Sequence, residues 1–285
     1  MRVLDEGARA AYLRRLGLDH APDPTLATLI DIHRRHLARV PYENLGIMLG
    51  QPPSVDPLDS VARVGDVGRL GYCFHQNGAA ELLLRSLGYA VERRHGHVWT
   101  GRPVPMGPFN HLVLVVEVPG EAGRWWFDVG LGDGFADPLP LADGSVTDGA
   151  GFEYTLESVG VHGWSFRHDA RGTFGGVTVT SRPSDPTAVE VAHGRLASDP
   201  ESPFRRLLVC QRRDAGGVET VRGVLWSRVE PGRREERELT GFEEWCSAIR
   251  DRIGLSLKGF DETDLRDLFE RMLAVHHEWL ASRSG

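Results

Sequence analysis

The sequence predicts an α+β fold that begins helical, turns to antiparallel strands and ends mixed. Three observations carry that reading. Apolar residues recur at three- and four-residue steps through the first ninety positions. From residue 89 the period becomes that of strands punctuated by proline and glycine. The last third then alternates strand runs with two helical patterns. A chain of 285 residues can bury a good core and divide into two or three compact units.

In the helical stretch, Leu26, Leu29, Ile30, His33 and Leu37 line one helix face, which starts after Pro24-Thr25 and stops at Pro41. Prolines and aspartates over 51–60 read as a loop. The segment after Cys73 carries Leu82, Leu83, Leu84 and Leu87 and ends at Gly88, a residue type suited to a helix C-terminus. Gly78 inside it costs about 1 kcal/mol relative to alanine, which predicts close packing there. Residues 89–93 alternate, 112–118 form an apolar run buried on both faces, and 125–129 form a further strand beyond turn material at 119–123. Strand candidates at 152–159, 162–168 and 175–181 extend this to a small barrel or curled sheet. Strands follow at 206–212 and 218–228, then helices from Thr240 or Gly241 and over 262–281.

Composition excludes several classes. A formal net charge of −7 gives no support to nucleic-acid or anionic-membrane partners, and Arg212-Arg213 and Arg233-Arg234 read as solvated surface. Lys258 is the only lysine and lies far from any glycine-rich loop, so a Walker-type NTPase is out. Cys73, Cys210 and Cys246 form no CxxC pair, and residues 1–6 hold no apolar signal core. With no run approaching ~18 apolar residues, a cytoplasmic protein is expected. His95-Gly96-His97 and His276-His277 have no acidic or cysteine partner nearby in sequence, so no metal is expected.

The chemistry centres on Cys73, which follows Gly71 at the start of a helix. A thiol there feels the positive end of the macrodipole and unpaired N–H groups, and both favour the thiolate nucleophile. His111 heads an apolar strand and Asp128 ends the next, so cysteine, base and orienting carboxylate occur in order. A turn centred between Pro119 and Gly120 opposes His111 directly to Asp128, with Cβ atoms about 5 Å apart. A loop over 119–123 instead places Asp128 opposite Leu114, about 10 Å along the strand from His111. A triad therefore predicts direct pairing or a bulge that restores it. Taken singly, each residue has a plainer role: a small core hydrophobe, a satisfied polar strand end, a turn cap.

Four motifs in order alter that balance. The stretch Arg69-Leu70-Gly71-Tyr72-Cys73-Phe74-His75-Gln76-Asn77 resembles the nucleophile segment of the arylamine N-acetyltransferases, Arg-Gly-Gly-x-Cys-aromatic-Glu-x-Asn. Pro41-Tyr42-Glu43-Asn44-Leu45, Asn110-His111-Leu112-Val113-Leu114 and Asp128-Val129-Gly130-Leu131-Gly132 with Pro138-Leu139 resemble three further family segments, as does Ser202-Pro203-Phe204. The resemblance is strong over 1–145 and weaker beyond. It implies a cysteine-protease-like core with a helical domain (1–88) carrying Cys73, a β-barrel domain (89–192) carrying His111 and Asp128, and an α/β lid (193–285). It also implies ping-pong transfer of acetyl from acetyl-CoA to an aromatic amine or hydrazine, with no metal, and an acyl-CoA cleft where barrel and lid meet. Gly130, Leu131, Gly132 and Phe204 are the implied substrate contacts, with Arg69 and His75 supporting the nucleophile. Leu70, His75 and Leu131 stand where the family has glycine, glutamate and phenylalanine, which predicts a non-standard acceptor or acyl donor. A carrier-bound amide synthase shares the cysteine chemistry, and a transglutaminase- or papain-like hydrolase shares the residue order. Nothing in the sequence sets an oligomeric state.

Overall fold

In the computed structural model, which describes residues 4–66, 68–103 and 107–283, the amino-terminal stretch folds as expected from its periodicity. Residues 1–3 of the segment read for a signal core, and 284–285 at the end of the expected lid, lie outside the described residues. Helices α1 (Glu6–Leu16) and α2 (Leu26–Arg39) come first, then a two-residue strand β1 (Tyr42–Glu43), α3 (Leu45–Met48), α4 (Pro57–Asp66) and α5 (Cys73–Leu87). Thr25 caps α2 by accepting the Thr28 N–H at 3.2 Å, and the helix stops at Val40 because the residue before a proline avoids helical geometry. Gly88 ends α5 in the left-handed region at φ 103°, satisfying the last carbonyls.

Two local expectations are corrected. The stretch 51–60 is loop only to Asp56, whose carboxylate accepts the Leu58 N–H at 2.9 Å, with Pro57 at the first helical position of α4. Proline and aspartate there are helix-start signals rather than loop signals. A Cβ on Gly78 would sit 3.6 Å from Pro57, an ordinary contact, so close packing does not demand that glycine.

Eight strands follow or flank the middle of the chain: β2 (Ala90–Trp99), β3 (His111–Glu117), β4 (Trp125–Phe127), β5 (Leu139–Pro140), β6 (Gly144–Thr147), β7 (Glu153–Gly160), β8 (Gly163–Arg167) and β9 (Gly176–Pro183). They form one antiparallel sheet in the order β5-β4-β3-β2-β9-β8-β7-β6. In a flat sheet β4 and β8, four steps apart, would lie about 19 Å from one another. Trp126 of β4 instead meets Trp164 and Phe166 of β8 at ring-centroid distances of 5.6 and 5.0 Å, so the sheet curls into a nearly closed barrel around an aromatic core. Strand β3 is buried on both faces, toward this core through Val113 and Val115 and toward the helices through Leu114 and Val116.

The remaining chain gives α6 (Pro186–Ser198), α7 (Pro203–Arg206) and strands β10 (Val209–Arg213), β11 (Val218–Arg222), β12 (Leu225–Glu230) and β13 (Arg233–Glu238). Helix α8 (Phe242–Ser247) runs into a π-helical turn (Ala248–Ile253), and α9 (Glu262–Arg283) closes the fold. The second sheet has the order β1-β10-β11-β12-β13, so Tyr42 and Glu43 contribute its first strand. The expected strand at 218–228 is a hairpin turning at Gly223 (φ 61°). Strand β13, Arg-Arg-Glu-Glu-Arg-Glu, carries no apolar alternation and was unreadable as a strand. Arg213 departs from the solvated-surface reading: it is 1 % exposed, bonded to Asp148 and set over the Phe152 ring. Arg233 and Arg234 are exposed as expected. Among the described residues no helix is long and apolar enough to cross a membrane.

Candidate active site

The turn into α5 presents Cys73. Gly71 adopts φ 117°, a conformation that favours glycine, and a Cβ on it would collide with the His75 ring 2.5 Å away. The preceding position has no such requirement: Leu70 points into the helical core, which is why a leucine is tolerated there. Tyr72 caps α5 without a side-chain hydrogen bond, so the first amides of the helix stay available beside Cys73. The thiol is only 3 % exposed and lies 3.6 Å from the Asn110 carbonyl oxygen.

His111 and Asp128 meet, but not through either expected register. Strand β3 pairs β4 with Leu114 opposite Phe127 and Val115 opposite Trp126, so extending the ladder sets Asp128 opposite Val113. His111 is then its diagonal neighbour on the same face, within reach because the strand ends at Phe127 and frees the Asp128 side chain. The imidazole Nε2 donates to Asp128 Oδ2 at 2.7 Å. Oδ2 also accepts the Trp126 indole N–H at 3.0 Å, while Oδ1 accepts Asn77 Nδ2 at 2.8 Å and the Gly130 N–H at 3.0 Å. Asn77, one helical turn below Cys73, also donates to the Leu112 carbonyl and accepts the Val129 N–H, joining α5 to both barrel strands.

Two glycines permit this closeness. A Cβ on Gly130 would stand 2.6 Å from Cys73 Cα, so only glycine lets the loop after Asp128 pass Cys73. Gly96, paired with His111 across β2 and β3, leaves room for the imidazole: a Cβ would sit 3.2 Å from its Cδ2 and 2.9 Å from Val113 Cγ2. From α2, the fully buried His33 holds the loop at both ends. Its ring nitrogens lie 2.8 Å from the Ala136 carbonyl oxygen and 3.1 Å from that of Asp128.

Burial alone would depress the His111 pKa, but the Asp128 charge, its hydrogen bond and the Cys73 sulfur outweigh it and raise the value to about 10. The ring is therefore an imidazolium at neutral pH. With Nε2 on Asp128, the hydrogen bond to Cys73 falls to Nδ1, and a protonated Nδ1 stabilises a thiolate. His33 behaves oppositely: burial pushes it down to about 4 and keeps it neutral.

The other expected site residues are placed less centrally. Leu131 packs in the barrel core and Gly132 (φ 74°) leaves space for the Gln211 amide, while Gly134 is crowded by Leu131. These glycines thus serve approaches between parts of the protein. Phe204 is half-buried with its ring 4.7 Å from that of Tyr72, and Asn44 donates to its carbonyl at 2.9 Å. Arg69 turns away from the thiol: it donates to the Ser256 and Lys258 carbonyls and lies 4.0 Å over Phe260. His75 sits on the far side of α5, its Nε2 donating to the Pro53 carbonyl oxygen at 3.2 Å, and is kept neutral by burial with Arg63 and His193 nearby. His276 and His277 both face Glu238, a partner that sequence distance concealed, yet among the described residues no group of three or more potential ligands is placed to hold a metal.

Sequence reasoning missed His33, Gly96 and Trp126. The first read as core, the second as part of a histidine pair, the third as strand filler. Asn77 was visible in its motif without its partners.

A family model described as N-acetyltransferase matches residues 25–262. The arylamine N-acetyltransferase of Mycolicibacterium smegmatis is 34 % identical over 251 residues, covering 86 % of this chain and 91 % of that protein. A solved M. smegmatis arylamine N-acetyltransferase superposes with a TM-score of 0.84 at 30 % identity, covering 94 % of this chain and 99 % of that one. The Mycobacterium marinum enzyme solved in complex with CoA superposes with a TM-score of 0.83 at 26 % identity, covering 92 % and 97 %.

Proposed function

The chain belongs to the arylamine N-acetyltransferase family, and from that premise we propose that it carries acetyl from acetyl-CoA to an aromatic amine or hydrazine through an acetyl-cysteine on Cys73. One observation carries the assignment of roles: the hydrogen-bonded line from the uncapped start of α5 through Cys73 and His111 to a carboxylate held by four donors. The division into a helical unit (1–88), a barrel unit (89–192) and a lid (193–285) belongs to the same proposal, with the nucleophile on the first and its helpers on the second.

In the first half-reaction the Cys73 thiolate attacks the thioester carbonyl, the carbon–sulfur bond to CoA breaks, and His111 supplies the proton that the leaving thiolate takes. The Cys73 N–H, first in α5 and lacking a cap, is the oxyanion donor. In the second half, the amine nitrogen attacks the acetyl carbon, His111 accepts its proton, and Cys73 leaves as thiolate. Aromatic amines and hydrazines are unprotonated at neutral pH and can attack, whereas alkyl amines are mostly ammonium. Asp128 holds the imidazole orientation and stabilises its charge.

A cavity of about 590 Å³ lies where barrel and lid meet, but its lining includes none of Cys73, His111 and Asp128, so it does not by itself place the thioester at the thiol. It lies between the His168–Thr173 loop of the barrel, strands β11 to β13 and the last turns of α9. The arylamine N-acetyltransferase relatives favour acetyl transfer over the carrier-bound amide synthase. Burial of the Cys73 thiol shields an acyl-enzyme from water, which disfavours the hydrolase alternative.

The test is CoA release from acetyl-CoA with a panel of aromatic amines, hydrazines and alkyl amines. Release that depends on aromatic amine or hydrazine and vanishes in Cys73→Ala is expected. Release that survives Cys73→Ala, or that no amine in the panel elicits, contradicts the assignment.

A further inference from the structure

Trp126 separates itself from its neighbours by what its indole nitrogen does. The buried indole nitrogens of Trp99, Trp125 and Trp164 find no hydrogen-bond partner among the described residues. That of Trp126 donates to Asp128 Oδ2 at 3.0 Å, the same oxygen that faces His111 at 2.7 Å. The ring is fully buried and edge-on to Phe135, Trp164 and Phe166, at centroid distances of 4.9, 5.6 and 5.0 Å. The barrel core therefore aims one N–H at the carboxylate and fixes it there.

We infer that Trp126 is a positioning residue for acyl transfer, one whose indole N–H shares Asp128 Oδ2 with His111, setting the carboxylate's orientation and drawing off part of the charge that the imidazole receives. The inference rests on the function proposed above. A carboxylate in a water-excluded site pulls strongly on the proton of a neighbouring imidazolium. His111 must release a proton to the leaving CoA sulfur and later accept one from the amine, so too tight a grip makes it a weaker acid in the first half and leaves less of its unprotonated form at neutral pH to act in the second. A neutral donor on the shared oxygen tempers that grip without adding charge. Asn77 and Gly130 occupy the other oxygen and cannot substitute for it.

The direct test follows the His111 ring by NMR against pH in a Cys73→Ala background, where no thiolate titrates beside it, with the signal assigned by its loss in His111→Gln. Trp126→Phe is expected to raise the His111 midpoint by at least about half a pH unit. Trp164→Phe, an equal ring truncation in the same core with no hydrogen bond to lose, is expected to leave it in place. An unchanged or lowered midpoint in Trp126→Phe, or an equal rise in both variants, overturns the inference. Should Trp126→Phe not fold, the indole N–H signal of Trp126 in Cys73→Ala gives the answer: it moves with the His111 midpoint if the oxygen is shared, and an indole signal indifferent to that titration overturns it. These readouts need no substrate, so they stand apart from acetyl transfer, which the wild-type acetyl adduct reports separately. With Cys73 intact, Trp126→Phe should slow the amine step about threefold at pH 7, the rate change of half a unit, and recover as pH rises.

Discussion

Asp128 accepts from His111, Trp126, Asn77 and the Gly130 N–H, so every lone-pair direction it offers the site is taken by a donor. An amide cannot match that set, because its NH2 would face one pair of donors. Asp128→Asn should therefore cost acyl transfer at least about 10²-fold in kcat/KM and remove the force that raises His111. Steady-state kinetics read the first effect, and the pH dependence of Cys73 alkylation reads the second; near wild-type values in both would contradict the assigned role. Gly130→Ala makes a steric claim. Its Cβ has nowhere to go but into Cys73 Cα, so the loop must move away from Cys73. We expect a loss of about 1–3 kcal/mol in stability with a larger proportional loss of thiol reactivity, measured by urea unfolding and alkylation of the same sample. Residues such as Cys73, His111 and Asp128 were legible from their types, order and motif. Trp126 and His33 were not, because their partners come from barrel and loop atoms that no local pattern announces.

Elements carry the site as much as residues do. Helix α5 is anchored by Gln76, whose Nε2 donates to the Pro41 and Gly71 carbonyls while its Oε1 faces His36 Nε2 at 2.6 Å. His36 in turn meets the Tyr12 hydroxyl at 2.9 Å, so one buried chain ties α1, α2 and the turn before Cys73 together. Gln76→Leu would take the Gln76 donor from the Pro41 and Gly71 carbonyls and the acceptor from His36 Nε2, leaving Gly71 only the Glu43 N–H and His36 only the Tyr12 hydroxyl, a loss on the order of 2–4 kcal/mol by denaturant unfolding. A loss below about 1 kcal/mol would argue that water replaces the side chain. The helix over α2, its cap and its proline stop were readable, as were α5 with its terminal glycine and the buried β3. The β3–β4 register was not, since hairpin register depends on turn geometry that Pro119 to Gly123 leave open, and the pair closes diagonally instead. Strand β13 escaped because its side chains are all charged, and α6 because its start, Asp185-Pro186, resembles a turn until the cap on Ala188 is seen.

At the scale of the molecule, buried histidines set opposite limits on stability. His33 and His36 are pushed down to about 4 by burial, and His75 also lies well below its ordinary value. Above about pH 6.5 they are neutral folded or unfolded and cost nothing. As pH falls from there toward 4 the unfolded chain takes up protons that the native state refuses, so stability declines, on the order of 3 kcal/mol each for His33 and His36, with His75 acting in the same direction. His111 acts with the other sign: its pKa is raised to about 10, so its contribution is complete below about pH 6.5 and is lost as pH rises through 10. Urea unfolding across this range should show a neutral maximum with the acid decline beginning near 6.5; stability flat to pH 4.5 would contradict the neutral buried histidines. The helix-to-strand-to-mixed order of the chain was legible because periodicity reports which faces are buried. The closure of the first sheet into a barrel, and the loan of β1 to the second, depend on contacts far apart in sequence. All of this architecture converges on one thiol, and the most direct measurement is intact mass after brief exposure to acetyl-CoA without amine. A single added acetyl group, mapped to Cys73, absent in Cys73→Ala and discharged by an aromatic amine or hydrazine, is the result predicted; an unmodified wild-type chain, or an acetyl group on another residue, would contradict the account.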